Sequence, residues 1–158
     1  MRGRRTSGDW GKRMAAKPPA MSAKQIEALL AVEFPQVFFP GCGHSVERVD
    51  HGDVRVRRAF DPASLRPGGT ISGPTMMALA DFAMYVAVFS AVGPLPLAVT
   101  TNLTINFLRK PAAADLVAEA RLLKVGKRLA VGEVTIRSDG EGDPVAHVTS
   151  TYSIPRTE

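Results

Sequence analysis

The chain has 158 residues, 45% of them hydrophobic, which indicates one globular domain and excludes two independent ones. Only 6% of the residues are aromatic, which argues against a surface that stacks nucleic-acid bases. The net charge of +5 does not indicate nucleic-acid binding either, because residues 1–20 hold six of the 20 basic and one of the 15 acidic residues, and residues 21–158 carry 14 of each.

The first 20 residues are predicted to be a disordered basic leader, followed by a single domain over residues 21–158. The leader contains Gly and Pro but no apolar run, so it resembles neither a secretory signal nor a membrane anchor. We therefore expect neither a membrane nor a nucleic acid as a partner, and we expect the leader to be dispensable for the fold.

The sulfur and imidazole groups give no metal-binding pattern. Cys42 is the only cysteine, which excludes an intramolecular disulfide and fits a cytoplasmic location, and we interpret it as a structural thiol. His44, His51 and His147 lack metal-ligand spacing to other donors. The sequence predicts no metal.

The domain is predicted to begin with a short helix and a hairpin. Ser22 can cap an amphipathic helix over Ala23–Glu33, which Pro35 would stop. Residues 46–49 and 54–60 alternate as half-buried strands around a turn that contains His51.

A long apolar helix is predicted for Gly73–Val92. Ser72 is placed to cap it, Pro74 lies in its first turn, and Gly93-Pro94 ends it. Apart from Asp81 the helix is apolar on every side, so it must be surrounded by protein or lipid. The transmembrane alternative is disfavoured, because a mid-helix carboxylate is unfavourable in lipid and the flanking segments have β patterns.

Four strands are predicted after the helix, over residues 97–109, 116–125, 128–138 and 144–154, separated by short turns. Short connections favour antiparallel pairing. An apolar helix between a hairpin and four antiparallel strands predicts an α+β fold in which a curved sheet wraps around the helix and buries it.

Asp81 is the first candidate for chemistry, because a carboxylate that is buried without partners is destabilising by several kcal/mol. A structural alternative is an ion pair between Asp81 and Arg66 or Arg109. Thr101 is the only polar residue on the apolar face of the first strand after the helix, so it should point toward Asp81 unless it satisfies its hydroxyl locally. Gly73 offers a backbone N–H at the positive end of the helix dipole, a possible oxyanion site.

These residues resemble the PaaI-like thioesterases of the hotdog superfamily. The likeness is carried by Ser72-Gly73-Pro74 through Leu79-Ala80-Asp81, by residues 102–111, which are similar to a strand ending in a Phe-Leu-Arg-Pro sequence, and by Gly126-Lys127-Arg128. It extends from about residue 46 to residue 154. The resemblance implies a hotdog fold and the hydrolysis of an acyl-CoA or similar thioester, with coenzyme A present only as part of the substrate.

The resemblance also implies roles for single residues. Asp81 would be the nucleophile or the general base, the Gly73 N–H would polarise the thioester carbonyl, and Thr101 would help to place water. The chain departs from the family at Ser72, where a His is common, at Pro74, which replaces a second Gly, and at Arg66, where some members have an Asn. The residues expected to contact substrate are Ser72, Pro74, Arg66, Met77, Asn102, Arg109, Lys110, Lys124, Lys127 and Arg128, the basic ones facing the coenzyme A phosphates.

Geometry predicts a second subunit. Gly73 and Asp81 are eight residues apart, which is roughly 12 Å along a helix, so they cannot both contact one carbonyl. A two-fold dimer with antiparallel helices would bring Gly73 of one chain near Asp81 of the other. We therefore expect a homodimer, or a dimer of dimers, with sites at the interface.

Two other functions fit parts of the pattern. A hotdog dehydratase would resemble a His-plus-acid arrangement, but no His lies in or just before the long helix. A non-catalytic acyl-CoA sensing domain is the closer alternative, although no helix-turn-helix segment is evident to carry an output.

Overall fold

The structure is a computed structural model that describes residues 17–156. Most of the predicted leader, residues 1–16, lies outside the described residues. The described chain forms the helices α1 (Ala23–Glu33) and α2 (Gly73–Val92), a 3-10 turn (Pro62–Ser64) and eight strands. The strands are β1 (His44–Asp50), β2 (Asp53–Arg58), β3 (Leu65–Arg66), β4 (Thr70–Ile71), β5 (Val99–Phe107), β6 (Leu116–Val125), β7 (Leu129–Ser138) and β8 (Pro144–Ser153).

Six of the strands form one antiparallel sheet in the order β1-β2-β6-β7-β8-β5. The sheet lies against α2, which contacts β6, β2, β7 and β8. This arrangement confirms the predicted hotdog fold. Among the described residues β1 and β5 are the two edges of the sheet.

The helix α2 begins and ends at the predicted residues. The Ser72 hydroxyl accepts a hydrogen bond from the backbone N–H of Thr75, Pro74 lies in the first turn, and Gly93 ends the helix with φ 91°. By length and composition α2 could cross a membrane, but 67% of its apolar window is buried inside the fold. It is the core helix of the domain.

The helix α1 covers the β1 edge of the sheet. Ser22 and Gln25 form a capping box at its start, and Ile26 and Leu30 are buried. The Glu27 carboxylate accepts a hydrogen bond of 2.9 Å from the backbone N–H of Val46. A backbone group of one sheet edge is therefore satisfied by α1.

The β5 edge carries no such cover in the described chain. Its exposed apolar side chains include Val99, which is 56% exposed, and Phe107, which is 51% exposed. The pairing of β5 with β8 also shifts register between Thr100 and Asn102, which makes Thr101 the extra residue of a β-bulge.

The segment between β2 and α2 is more ordered than its Pro- and Gly-rich composition indicates. Asp61 caps the 3-10 turn, and β3 and β4 form a short hairpin closed by Gly68 and Gly69, which both have positive φ. The hairpin brings Arg66 beside the start of α2.

The expectation that the sheet buries the whole of α2 is wrong for its first half. Pro74, Met77, Ala78 and Asp81 are partly or fully exposed, whereas every residue from 82 to 90 is buried. The sheet covers one side of the first half only, because β5 makes few contacts with α2. Near the domain boundary, which remains a prediction, the Ala20 N–H donates to the Ser90 carbonyl at 2.8 Å.

Candidate active site

Asp81 is held by hydroxyl groups from two strands. Thr100 Oγ1 donates to Asp81 Oδ1 at 2.6 Å, and the Tyr152 hydroxyl lies 2.8 Å from the same oxygen. No described residue donates to Oδ2 of Asp81, and none forms an ion pair with it. The carboxylate is therefore fixed by one oxygen and open at the other, and an anchoring ion pair with Arg66 or Arg109 does not form in the described chain.

Tyr152 is suited to act as a permanent donor. Its side chain is buried, and its hydroxyl also reaches the Asp81 carbonyl at 3.0 Å. Burial and then the negative charge of Asp81 raise the pKa of Tyr152 far above its ordinary value, so the phenol stays protonated. The Tyr152 hydroxyl can therefore donate to Asp81 Oδ1 over the whole pH range in which proteins are folded.

Asp81 lies at a cavity of about 490 Å³ between α2 and the loop after α1. Five of the 14 lining residues are Phe or Tyr, and the polar ones besides Asp81 include His44, Arg58, Asp61 and Cys42. The remaining lining residues are Phe34, Gln36, Val37, Phe39, Gly41, Ala78, Phe82, Tyr85 and Tyr152. An apolar cavity with a few polar groups is the usual form of a small-molecule site.

Gly73 lies at a second cavity of about 540 Å³, at the other end of β5. Its N–H is in the first turn of α2 and makes no hydrogen bond with another described residue. A Cβ at this position would lie 3.0 Å from Cζ of Phe107, so a side chain at residue 73 would crowd the Phe107 ring. The free N–H at a helix N-terminus can stabilise a developing oxyanion.

Basic side chains surround the Gly73 cavity. Arg66 from β3, and Arg109 and Lys110 from the segment after β5, line it together with Thr70, Ile71, Met76, Phe107, Leu108 and Pro111. Arg109 contacts Asp143 only at 3.9 Å and donates to the Pro144 carbonyl at 3.0 Å. The cavity thus combines an apolar floor with cations that can bind phosphate.

The two candidate catalytic groups do not meet within one chain. Gly73 and Asp81 line different cavities, as their separation along α2 predicts. Each chain therefore contains an acid without the backbone donor and a donor without the acid.

The prediction that Thr101 points toward Asp81 is wrong. Its hydroxyl donates to the Thr151 carbonyl at 3.2 Å, and Thr100 contacts Asp81 instead. The bulge at Thr101 explains why Thr100 and not Thr101 contacts Asp81, because one extra residue reverses the side of the sheet to which the residues before it point. Leu103 and Ile105, beyond the bulge, pack against the core as expected.

The other predicted contact residues fall into three groups. Arg66, Arg109 and Lys110 line the Gly73 cavity, while Lys124, Lys127 and Arg128 are exposed at the β6–β7 hairpin. That hairpin adjoins the Val99 end of β5 through Ser153, which pairs with both Leu129 and Val99. The expected single basic cluster is therefore divided within one chain, because its halves lie at opposite ends of β5. Ser72 is engaged in capping, and Pro74, Met77 and Asn102 are exposed on α2 and β5.

Sequence patterns gave no indication of Tyr152 or Thr100. Their position depends on the pairing of β8 with β5, which aligns Tyr152 with Thr100 although 52 residues separate them in the chain. Among residues 17–156 no cluster of three or more His, Cys, Asp or Glu side chains could hold a metal ion.

The chain is similar to a known family and to several solved structures. The family model of the thioesterase superfamily matches residues 68–145. The structure is similar to that of a proposed thioesterase from Silicibacter sp. TM1040, with 42% identity, a TM-score of 0.79, and 87% of this chain and 94% of the other covered. It is also similar to the PaaI protein of the E. coli phenylacetic acid degradation operon, with 26% identity, a TM-score of 0.66, and 72% and 80% covered. A proposed esterase of Halobacterium salinarum is 34% identical over 127 residues, covering 73% of this chain and 83% of the relative.

Proposed function

We propose that this chain, which belongs to the thioesterase superfamily, hydrolyses an acyl-CoA or a related thioester to a free acid and a thiol. The observation that carries the proposal is the Asp81 carboxylate, held by Thr100 and Tyr152 through one oxygen and open at the other. Besides the thioester, in which coenzyme A is part of the substrate, the proposed reaction needs only water.

In the proposed reaction Asp81 acts through its open oxygen, Oδ2. As a general base it takes a proton from water while the water oxygen bonds to the thioester carbon, and the departing thiolate then receives that proton. As a nucleophile Oδ2 would bond to the carbon, release the thiolate and form an anhydride that water hydrolyses. Thr100 and Tyr152 position the carboxylate in either route.

The Gly73 N–H is proposed to stabilise the oxyanion that forms on the carbonyl oxygen. The donor makes no hydrogen bond with another described residue, and it lies at the positive end of a 20-residue helix. Hydrogen-bond donors of this type typically contribute about a hundredfold or more to the rate of acyl transfer.

A second copy of the chain is proposed to complete each site through the β5 edge. Within one chain, Thr100 near the start of β5 contacts Asp81, and Phe107 at its end contacts the Gly73 position. Antiparallel pairing of β5 with itself would set the start of each strand against the end of the other. Gly73 of one chain would then lie beside Asp81 of the second.

The same pairing would reunite the divided basic residues. The β6–β7 hairpin lies beside the start of β5, so Lys127 and Arg128 of the second copy would approach Arg109 and Lys110. We propose that coenzyme A phosphates bind there, above the Gly73 cavity.

Mixed dimers test the composite site. Gly73→Pro removes the backbone donor and Asp81→Ala removes the acid, so each homodimer should be inactive. A heterodimer purified with two affinity tags contains one intact site if the site is composite, and should show about half the wild-type kcat per dimer.

Melting curves of both single variants check that each still folds. If Gly73→Pro does not fold, Gly73→Val replaces it, because the added side chain fills the space around the Gly73 N–H. A verified heterodimer with no thioesterase activity would contradict the shared site. Failure of wild-type protein to release thiol from any acyl-CoA would instead reject thioester hydrolysis itself and favour a sensing role.

A further inference from the structure

The aromatic cavity beside Asp81 contains an arginine on the inner side of the sheet. Along β2, Val54 and Val56 are fully buried against the core, and Arg58 is the next residue with the same direction. Arg58 therefore points to the side of α2, and it lines the same cavity as Asp81. A cation at the end of an apolar inner face requires an explanation.

The neighbouring arginines on the outer side of β2 are all paired with carboxylates. Arg55 lies 2.9 Å from Glu47, and Arg57 lies 3.2 Å from Asp115 and 2.9 Å from Asp139. Both arginines on the outer side of β2 therefore have carboxylate partners.

Arg58 has no such partner. No carboxylate of residues 17–156 forms an ion pair with it. Asp61, the other acid near this end of the cavity, accepts a hydrogen bond from the Ala63 N–H and caps the 3-10 turn. The Arg58 guanidinium is thus directed to a cavity whose two acids, Asp61 and Asp81, form no ion pair with it.

His44 contacts the Arg58 guanidinium but brings no negative charge to it. Arg58 Nη1 lies 3.4 Å from His44 Nε2, and the His44 ring stacks on Phe82 with 4.6 Å between centroids. Phe82, His44 and Arg58 all line the cavity that Asp81 lines. Burial, and then the charge of Arg58, lower the pKa of His44, so the imidazole is neutral and accepts from Arg58.

We infer that the acyl group of the substrate carries a carboxylate at its far end, and that Arg58 binds this carboxylate while Asp81 acts at the thioester end. The inference rests on the proposed function. A guanidinium can donate two parallel hydrogen bonds to a carboxylate, and a partly buried pair of this kind is strong. The Phe and Tyr side chains that line the same cavity suit the methylene or aryl body of such an acid.

Matched pairs of acyl-CoAs test the inference, with the two members equal in chain length and different only at the far end. Suitable pairs are glutaryl with pentanoyl, adipoyl with hexanoyl, and suberyl with octanoyl. For the best-fitting length, the wild-type kcat/KM should be about tenfold or more higher for the carboxylate member. Arg58→Met should abolish that preference, so that kcat/KM is about equal for the two members of the pair, and Arg58→Lys should retain part of it.

Arg55→Gln is the matched control, because it removes the same charge from the outer side of the same strand. It should leave the preference unchanged. Cys42, the only cysteine, lines the cavity and gives a binding readout independent of turnover. Glutaric acid should slow the alkylation of Cys42 by iodoacetamide in the wild type and not in Arg58→Met.

Three results would overturn the inference while leaving the thioesterase proposal intact. One is Asp81-dependent hydrolysis with no preference for carboxylate-ended acyl groups. Another is a preference that survives Arg58→Met. The third is an equal loss for both members of each pair in Arg58→Met, which would assign Arg58 to a coenzyme A phosphate instead. Absence of hydrolysis for every acyl-CoA would reject the proposed function, and the Cys42 alkylation assay would then decide the inference alone.

Discussion

The two halves of α2 have similar apolar sequences but different surroundings. From Phe82 to Ser90 every side chain is buried, with Val86, Val88 and Phe89 inaccessible to solvent. From Gly73 to Asp81 the helix alternates between buried residues such as Leu79 and exposed ones such as Met77. One chain therefore covers the second half of its core helix and leaves one side of the first half open.

The difference separates a structural half from a half that is available to ligands and partners. The second half is joined to the sheet by Ser90, whose hydroxyl donates to the Ala87 carbonyl at 2.7 Å and accepts from the Gly52 N–H at 2.9 Å. The first half carries the Asp81 carboxylate and the Gly73 N–H, which has no partner among the described residues, beside the β5 edge that residues 17–156 leave uncovered. Substitutions in the two halves should therefore affect different properties.

The largest effect is expected for Asp81→Asn in the first half. The amide oxygen can still accept from Thr100 and Tyr152, so the fold should be retained, but the charge proposed to activate water or to attack the thioester is removed. We expect kcat/KM for the best acyl-CoA to fall by about a hundredfold or more.

Asp50→Asn provides the comparison for Asp81→Asn, because it removes one negative charge at an exposed hairpin position, and it should keep activity within about twofold. A strongly destabilised Asp81→Asn protein with wild-type turnover would show that the carboxylate serves the fold rather than the reaction.

Ser90→Ala in the second half should give the opposite result. The buried Gly52 N–H loses its partner, which should lower the free energy of unfolding by about 1 to 2 kcal/mol and Tm by roughly 5 °C. Turnover at 25 °C should be unchanged.

Met77→Ala is the corresponding change in the first half, where the side chain is 40% exposed, and it should change the unfolding free energy of the single chain by only about 0.5 kcal/mol. Equal losses in Tm for Ser90→Ala and Met77→Ala would remove the distinction between the halves, unless the Met77 effect depends on protein concentration, as a dimer contact would.

The smallest effect is expected at His44, which stacks on Phe82 where the two halves meet. The pKa of His44 is lowered in the folded chain by burial and then by Arg58, so the unfolded chain binds a proton first as pH falls below the ordinary value of 6.5. Folding stability should therefore decrease as pH falls from about 6.5 and level off below the lowered folded pKa. The other titratable groups that line the cavity beside His44 are Arg58, Asp61, Asp81, Cys42, Tyr85 and Tyr152.

Thermal melting from pH 7 to pH 5 measures this decrease, and His44→Gln should reduce its slope. Because carboxylates also titrate toward pH 5, the slopes of Tm against pH are compared between the wild type and His44→Gln, and not the absolute Tm values. An unchanged slope in His44→Gln would show that the imidazole is not held neutral in the cavity.

The local sequence by itself determined the helices and most strand positions. Ser22 and Ser72 fix the starts of α1 and α2 through bonds that span three residues, and Gly93 ends α2 with a backbone conformation that favours glycine. The strand pattern predicted β6 at its observed bounds and β7 and β8 within one residue at one end. These features depend on periodicity and on caps, which act between residues close together in the chain.

Tertiary structure decided which of these residues form the candidate site. The bulge at Thr101 arises where β5 is aligned with β8, and it replaces Thr101 by Thr100 beside Asp81. Tyr152 reaches Asp81 from the end of a strand 71 residues away in sequence. The exposure of Asp81 depends on how much of α2 the sheet covers. Long-range pairing and coverage come from the packing of whole elements, so no local pattern contains them.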